Sequence, residues 1–327
     1  MGCSAARALA MDGHDVVLYE QFELGHDRGS SHGRSRIVRL AYPEQEWVRL
    51  AEESFRGWRE LEAECGVRLL ELHGMLELVA DPAQGSHGAL AASGAEFELL
   101  TAAQAAARWP VRAPDGWTVL YQPQAGIVRA DLALRALLVS ARRHGVAIEE
   151  GTRVASVDDV AADVVVVVTA GSWVVRLVPD VPVRTTRETV AYFRRGGEPA
   201  PAVVQLAPDT RDHAMYSLCD PVHGLKAGAH HAGRATDPDQ DGEPDRELVE
   251  RIADWVAATH PDTDPRPVAT QTCLYTSTAD ERFVLQRRGR LVIGSACSGH
   301  GFKFAPAVGR RLADLVGDAD LVGGAAS

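Results

Sequence analysis

The chain predicts an α/β fold with an antiparallel portion, α/β (α+β) by class, and three observations carry that expectation. Residues 3–11 are alanine-rich and read as a helix, Gly13 as its stop, and Asp15–Glu20 as a short buried strand. Ala162–Gly171, ADVVVVVTAG, reads as a buried parallel strand running into a glycine turn. Elsewhere strand and helix patterns interleave rather than segregate. The 327 residues suffice for two domains at roughly 150 residues each.

The remaining elements follow in order. Residues 26–42, rich in Gly, Ser, His and Arg, read as a loop. Glu44–Gly66 reads as an amphipathic helix, with Trp47, Leu50, Phe55, Trp58 and Leu61 near helical spacing. Strands are expected over 69–79 and a helix near 83–93, with turns at Trp109-Pro110 and Pro123–Gly126. A second amphipathic helix spans 130–144, and Val146–Glu149 and Thr152–Val157 read as short strands. Strands alternate through 181–231, Asp237–Asp245 reads as a solvated loop, and Glu247–Thr259 as a helix. Strands over Thr270–Leu285 and Leu291–Ile293 and a closing helix, Pro306–Leu315, complete the reading.

Composition narrows the function classes. Hydrophobic residues are 46% and charged residues 24%, which is ordinary for a globular protein. The net charge of −11 disfavours nucleic acid and anionic membranes as partners. The longest aliphatic run, Val164–Val168, is too short to span a bilayer. Cys3, Cys65, Cys219, Cys273 and Cys297 are odd in number and form no CxxC pair, so neither a disulfide framework nor a zinc ribbon is expected. No secretion signal opens the chain, and the expected location is the cytoplasm. Lys226 and Lys303 are the two lysines, and every other basic residue is arginine. A compact ammonium and a guanidinium fork do different work, which singles these two out.

Helix, glycine turn, apolar strand and terminal acid form the second half of a dinucleotide-binding βαβ unit. There a glycine-rich turn opens the helix, and an acid about 20 residues later binds ribose hydroxyls. Gly2 and Glu20 stand near that spacing. No first strand and no G-x-G precede Gly2, so the chain is expected to lack the start of that unit. Taken alone, the same residues also fit a plain αβ packing unit.

Three segments carry more. They are GSSHGRSRIVR (29–39), TCLYTSTADERF (272–283) and SGHGFKF (298–304). In this order, with Val164–Trp173 and Gly224–His231, they resemble the monomeric sarcosine oxidase family of amine-oxidising flavoproteins. That family includes N-methyltryptophan oxidase and the peroxisomal sarcosine and pipecolate oxidases. The resemblance covers nearly the whole chain. It implies an FAD-binding Rossmann-like domain of the glutathione-reductase type, here lacking its first strand, plus a mixed-sheet substrate domain. The expected division is 1–68, 125–178 and 270–327 for FAD, and 69–124 and 179–269 for substrate.

The resemblance also implies roles. Cys273 matches the cysteine that joins FAD through a thioether, whereas the other four cysteines read as structural. Lys226 matches the lysine that promotes reaction with oxygen, since a buried cation stabilises superoxide. Arg39 and Lys303 match the pair that grips a substrate carboxylate. Tyr216 and His230 match pocket residues, with His231 as a substitute for His230. His32 and Arg36 match residues flanking the flavin, and Gly299 and Gly301 bring backbone N–H groups to its pyrimidine edge. The remaining cofactor contacts implied are Gly2, Glu20, Gln21, Ser30, Ser31, Ser35, Val154, Ala170, Gly171, Trp173, His300, Phe302 and again Lys303.

The implied reaction is oxidation of a secondary or N-methyl amino acid to an imine, with O2 reduced to H2O2, by a monomer. The alternative is a cofactor-poor, non-catalytic fragment of such a protein. Three departures from the family pattern accompany the absent G-x-G. Residues 152–164 are short, Gln286-Arg287-Arg288 stands where relatives have an Asp then His-Pro, and the tail ends in GGAAS.

Overall fold

The computed structural model describes residues 1–206, 213–295 and 297–317. The GGAAS tail lies outside them. In chain order the elements are α1 (Gly2–Met11), β1 (Val17–Tyr19), β2 (Ser35–Val38), α2 (Gln45–Cys65), β3 (Leu70–Glu71) and β4 (Met75–Val79). Then come α3 (His87–Ser93), β5 (Glu98–Thr101), α4 (Ala102–Arg108), β6 (Thr118–Gln122), β7 (Gly126–Arg129), α5 (Ala130–Arg143) and β8 (Ala147–Glu149). β9 (Val166–Val168) and the short α6 (Val174–Leu177) lead to β10 (Arg184–Arg195), β11 (Ala202–Gln205), β12 (Met215–Asp220), β13 (Gly224–Ala229) and β14 (Arg234–Ala235). The last elements are α7 (Arg246–Thr259), β15 (Thr263–Ser277), β16 (Val284–Arg288), β17 (Leu291–Ser295) and α8 (Ala305–Gly317).

Four helices, α1, α2, α5 and α8, pack together because their facing residues are small or apolar. α1 buries Ser4, Ala5, Ala6, Ala8 and Leu9, and a Cβ on Gly309 of α8 would collide with Ser4. α2 buries Val48, Leu50, Ala51, Ser54, Trp58 and Leu61 at helical spacing. Full burial of Trp58 and Leu61 contributes about 1.5–3 kcal/mol each over exposure. Gly66 stops α2 at φ 65°, and its N–H bonds the Glu62 carbonyl.

Three short sheets flank this cluster. β1 pairs parallel with β8. β9 pairs parallel with β17, which pairs antiparallel with β16. β7 lies between β2 and β3, antiparallel to both. The large sheet runs β14-β10-β13-β12-β11-β4-β6-β5, with β15 also on β10. It is antiparallel except at β11–β4. α7 covers one end by setting Ile252 and Val256 against Phe193 and Leu225.

The sequence expectations need five corrections. Thr152–Val157 is not a strand: Thr152 N–H bonds the Glu20 carbonyl, and Ser156 then caps a 3-10 turn over Val157–Asp159. The loop 26–42 contains β2, whose polar Ser35 and Arg36 hid its pairing with β7. Within Ala162–Gly171 only Val166–Val168 is strand, parallel as expected. β5, α4 and β6 went unread, although Thr101 and Gln104 form a capping box at α4. The 237–245 loop is not merely solvated, because Trp173 Nε1 donates to Asp239 at 2.8 Å.

Candidate active site

A continuous cavity of about 1670 Å³ runs through the protein. It exceeds the roughly 300–1,000 Å³ of an ordinary small-molecule pocket. One end is lined by Gly2, Glu20, Gln21, Val154, Gly171 and Trp173, and the other by Arg39, Lys226, Cys273, Tyr275 and Lys303. Ser30, Ser31, Ser35, Arg36 and Ala170 also line it.

The first end is built from the α1 N-terminus, β1 and β9. The Gly2 N–H belongs to the first turn of α1, where backbone donors lack helical partners. A Cβ on Gly2 would stand 2.8 Å from Thr169 Oγ1, so a larger residue would fill the cradle. Glu20 accepts from the Phe22 N–H at 3.0 Å and lies 3.6 Å from His26. Burial raises the pKa of Glu20, but His26 and the backbone N–H groups outweigh it and hold the carboxyl below its ordinary value.

The second end gathers residues that are remote in sequence. Arg36, on β2, donates to the carbonyls of Ser35, Ser30 and His32 at 2.9, 2.7 and 2.6 Å, pinning the GSSHG loop. Ser30 Oγ donates to the Leu274 carbonyl, which ties that loop beside Cys273. Lys226, on β13, stands opposite Tyr192 of β10 and lies 5.8 Å from its ring centroid. Burial, then Arg36, depresses Lys226 to about 7. Burial also pushes the Cys273 thiol up, partly offset by Arg36 and Lys226.

Arg39 follows β2 and lies over Tyr42 at 4.5 Å, with Lys303 over the same ring at 5.6 Å. Arg39 Nη1 is 3.8 Å from buried Glu77, whose carboxylate also accepts from the Ser86 N–H and hydroxyl. Lys303 donates to the His300 carbonyl at 2.9 Å, and Trp58 Nε1 donates to the Lys303 carbonyl at 2.8 Å. Burial, then Arg39 and Arg36, drives the Lys303 ammonium well below its usual pKa. A free carboxylate suits such a pair, because it replaces lost water with charge-assisted hydrogen bonds.

Of the residues singled out in the sequence, His32 does not line the cavity. Both of its ring nitrogens are buried and unpartnered. Burial, then Arg36 and Lys226, lowers it to about 4. Tyr216, His230, Gly299, His300, Gly301 and Phe302 do line the cavity. Gly299, at φ 71°, leaves no room for a Cβ against Tyr275 and His230. His230 and His300 are both held near pKa 3 by burial first, so their rings are neutral.

Sequence reasoning missed Tyr42, Tyr275 and Glu281, and it read Cys3 and Cys297 as structural although both line the cavity. Tyr275 was findable. It is two residues beyond Cys273 on β15 and therefore on the same sheet face. Its hydroxyl lies 3.4 Å from His230 Nδ1.

The chamber fits FAD on three counts. The cavity volume is large enough for a dinucleotide, the glycine cradles would close if filled, and the buried Lys226 and Lys303 would favour a redox ring that becomes anionic.

Comparison with known proteins agrees with this geometry. The FAD dependent oxidoreductase family (DAO) matches residues 1–315. Peroxisomal sarcosine oxidase of Homo sapiens is 32% identical over 346 residues, spanning 96% of this chain and 89% of that one. N-methyl-L-tryptophan oxidase of Yersinia pestis (strain Pestoides F) is 28% identical over 341 residues, at 96% and 91% coverage. The open form of NikD, an unusual amino acid oxidase essential for nikkomycin biosynthesis, superposes with TM-score 0.82 at 25% identity, covering 96% and 90%. L-proline dehydrogenase from P. horikoshii, at 19% identity and TM-score 0.81 over 97% and 90%, shares the fold. The mixed α/β architecture and the family match together place this chain among the FAD dependent oxidoreductases.

Proposed function

We propose that this protein oxidises the C–N bond of a secondary or N-methyl amino acid to an imine, with O2 accepting the electrons to give H2O2. The observation that carries this reading is the approach of Arg39 and Lys303 to one Tyr42 ring at the end of a dinucleotide-sized cavity. Two cations at that point suit an amino acid rather than a bare amine.

When bound, FAD supplies the two-electron chemistry: it takes a hydride equivalent from the substrate and passes the electrons to O2. The groups proposed to hold it are Gly2, Glu20, Gln21, Ser30, Ser31, Ser35, Arg36, Val154, Ala170, Gly171, Trp173, His300, Phe302 and the Gly299–Gly301 backbone, with Cys273 as the covalent tether. In this scheme residues 1–68, 125–178 and 270–327 serve the cofactor, and 69–124 and 179–269 the substrate.

Arg39 and Lys303 hold the carboxylate and so fix where the amine nitrogen lies. Tyr216, Tyr275 and neutral His230 wall the chamber without adding charge, which keeps the amine free to react. Lys226 offers a positive charge to the developing superoxide. Water then hydrolyses the released imine. A soluble cytoplasmic monomer remains the proposed state; among the described residues no helix is long and apolar enough to cross a membrane.

The test is an absorption spectrum of the protein after acid precipitation and redissolution, with oxygen uptake on N-methyl and cyclic amino acids. Flavin absorbance that stays with the protein, and is released in Cys273→Ser, supports the tether. Peroxide formed with oxygen uptake supports the oxidase. Dye reduction without oxygen uptake would favour a dehydrogenase. Failure to bind flavin would favour the cofactor-poor alternative, which the cavity and its glycine cradles argue against.

A further inference from the structure

β13 ends at Ala229, and the two histidines after it do not alternate sides as strand residues would. His231 sits at φ 56°, in the left-handed region, and its ring meets that of His230 edge-on with centroids 4.1 Å apart. Glu281 arrives from the loop after β15, also left-handed, at φ 59°. Among the described residues three non-glycine positions have positive φ, and two of them build this one cluster. Such backbone is uncommon outside glycine and gathers at functional sites.

The donor atoms are close. His231 Nε2 lies 3.4 Å from Glu281 Oε1, and His230 Nε2 lies 4.0 Å from Glu281 Oε2. One ligand atom from each residue fits within 4.8 Å of the others. His230 Nδ1 faces the Tyr275 hydroxyl, which leaves Nε2 turned to the cluster. Arg282, beside Glu281, is paired with Glu44 and Glu46 and anchors the loop.

We propose that His230, His231 and Glu281 form a binding site for a divalent transition-metal ion in the wall of the substrate chamber. Metal–ligand distances of about 2.0–2.2 Å in a tetrahedron imply ligand–ligand separations of about 3.3–3.6 Å. The His231–Glu281 pair already has that spacing, the His230–Glu281 pair must close from 4.0 Å, and the His230–His231 pair lies within 4.8 Å, so small side-chain shifts complete the site. Two imidazoles and a carboxylate suit Zn(II), Co(II), Ni(II) or Cu(II) over Mg(II) or Ca(II). His230 and Glu281 line the cavity, so the fourth position faces it and takes water. An ion there withdraws His230 from the chamber and competes with the amino acid, a consequence that rests on the proposed function. A plain His231–Glu281 ion pair is the competing explanation of the same contacts.

Co(II) titrated into the purified 327-residue chain separates the two. The expected result is saturable uptake of one equivalent, with a visible ligand-field spectrum and no sulfur-to-metal charge-transfer band. Glu281→Gln and His231→Gln should each weaken uptake at least 10-fold while leaving the metal-free melting temperature near that of the parent chain. Glu281 is half exposed, so its variant stays folded if His231→Gln does not. No saturable uptake, uptake unchanged in a folded variant, or a sulfur charge-transfer band would each overturn the site. Co(II) should also raise KM for the amino acid in the parent chain and not in Glu281→Gln. Intact binding without that rise would overturn the competition while leaving the proposed oxidation untouched.

Discussion

Arg39 and Lys303 reach the same aromatic ring from different elements, 4.5 and 5.6 Å from the centroid of Tyr42. Glu77, 3.8 Å from Arg39, steadies the guanidinium from behind. A charge-assisted hydrogen bond contributes about 1.5–3 kcal/mol. Arg39→Leu and Lys303→Met should therefore each raise KM for a carboxylate-bearing substrate by roughly 10- to 100-fold. Steady-state kinetics with an amino acid and with its decarboxylated amine checks this. The amine should be indifferent to both changes.

Lys226 is assigned to oxygen and not to substrate, so its removal should divide the two half-reactions. Lys226→Met is expected to slow reoxidation by O2 by about 100-fold or more, within the range of a lost electrostatic stabiliser, and to leave anaerobic reduction by substrate nearly unchanged. Stopped-flow absorbance measures both. Equal slowing would remove Lys226 from the oxygen step.

The same residue makes stability depend on pH. Folding lowers the Lys226 pKa to about 7 from 10.5. Between those values the unfolded chain binds the extra proton, so stability rises as pH rises from 7 to 10.5. Below pH 7 the buried ammonium stays a full cost, on the order of 4 kcal/mol. Lys226→Met should consequently raise the melting temperature of the cofactor-free protein more at pH 7 than at pH 10. Calorimetry at the two pH values decides it.

Trp58 joins the helical core to the site. Its ring is fully buried, and its Nε1 donates to the Lys303 carbonyl. Trp58→Phe keeps most of the apolar packing but leaves that carbonyl without its donor, at a cost of about 1–3 kcal/mol. Because Lys303 is freed to shift, KM should rise as well. Denaturant melts and kinetics on one preparation test both effects.

Much of the site was legible because its residues sit in short contiguous motifs. GSSHGRSRIVR places Ser30, Arg36 and Arg39 together, and SGHGFKF places Gly299 and Lys303. The scarcity of lysine drew attention to Lys226 before its strand was known. Long-range pairing was harder to read. Tyr42, Tyr275 and Glu281 acquire meaning only when β15, α2 and the end of β13 converge, and no local pattern encodes that. Thr152–Val157 failed because Thr152 is tied to the remote Glu20 carbonyl and the Ser156 side chain then turns the chain with local hydrogen bonds.

The most direct measurement is anaerobic: the flavin-loaded protein is mixed with sarcosine, N-methyltryptophan and pipecolate in turn while the flavin band at about 450 nm is followed. With at least one of these the band should bleach, then return on admitting air as one equivalent of peroxide appears. A flavin that stays oxidised with every N-methyl and cyclic amino acid tried would contradict the proposed oxidation.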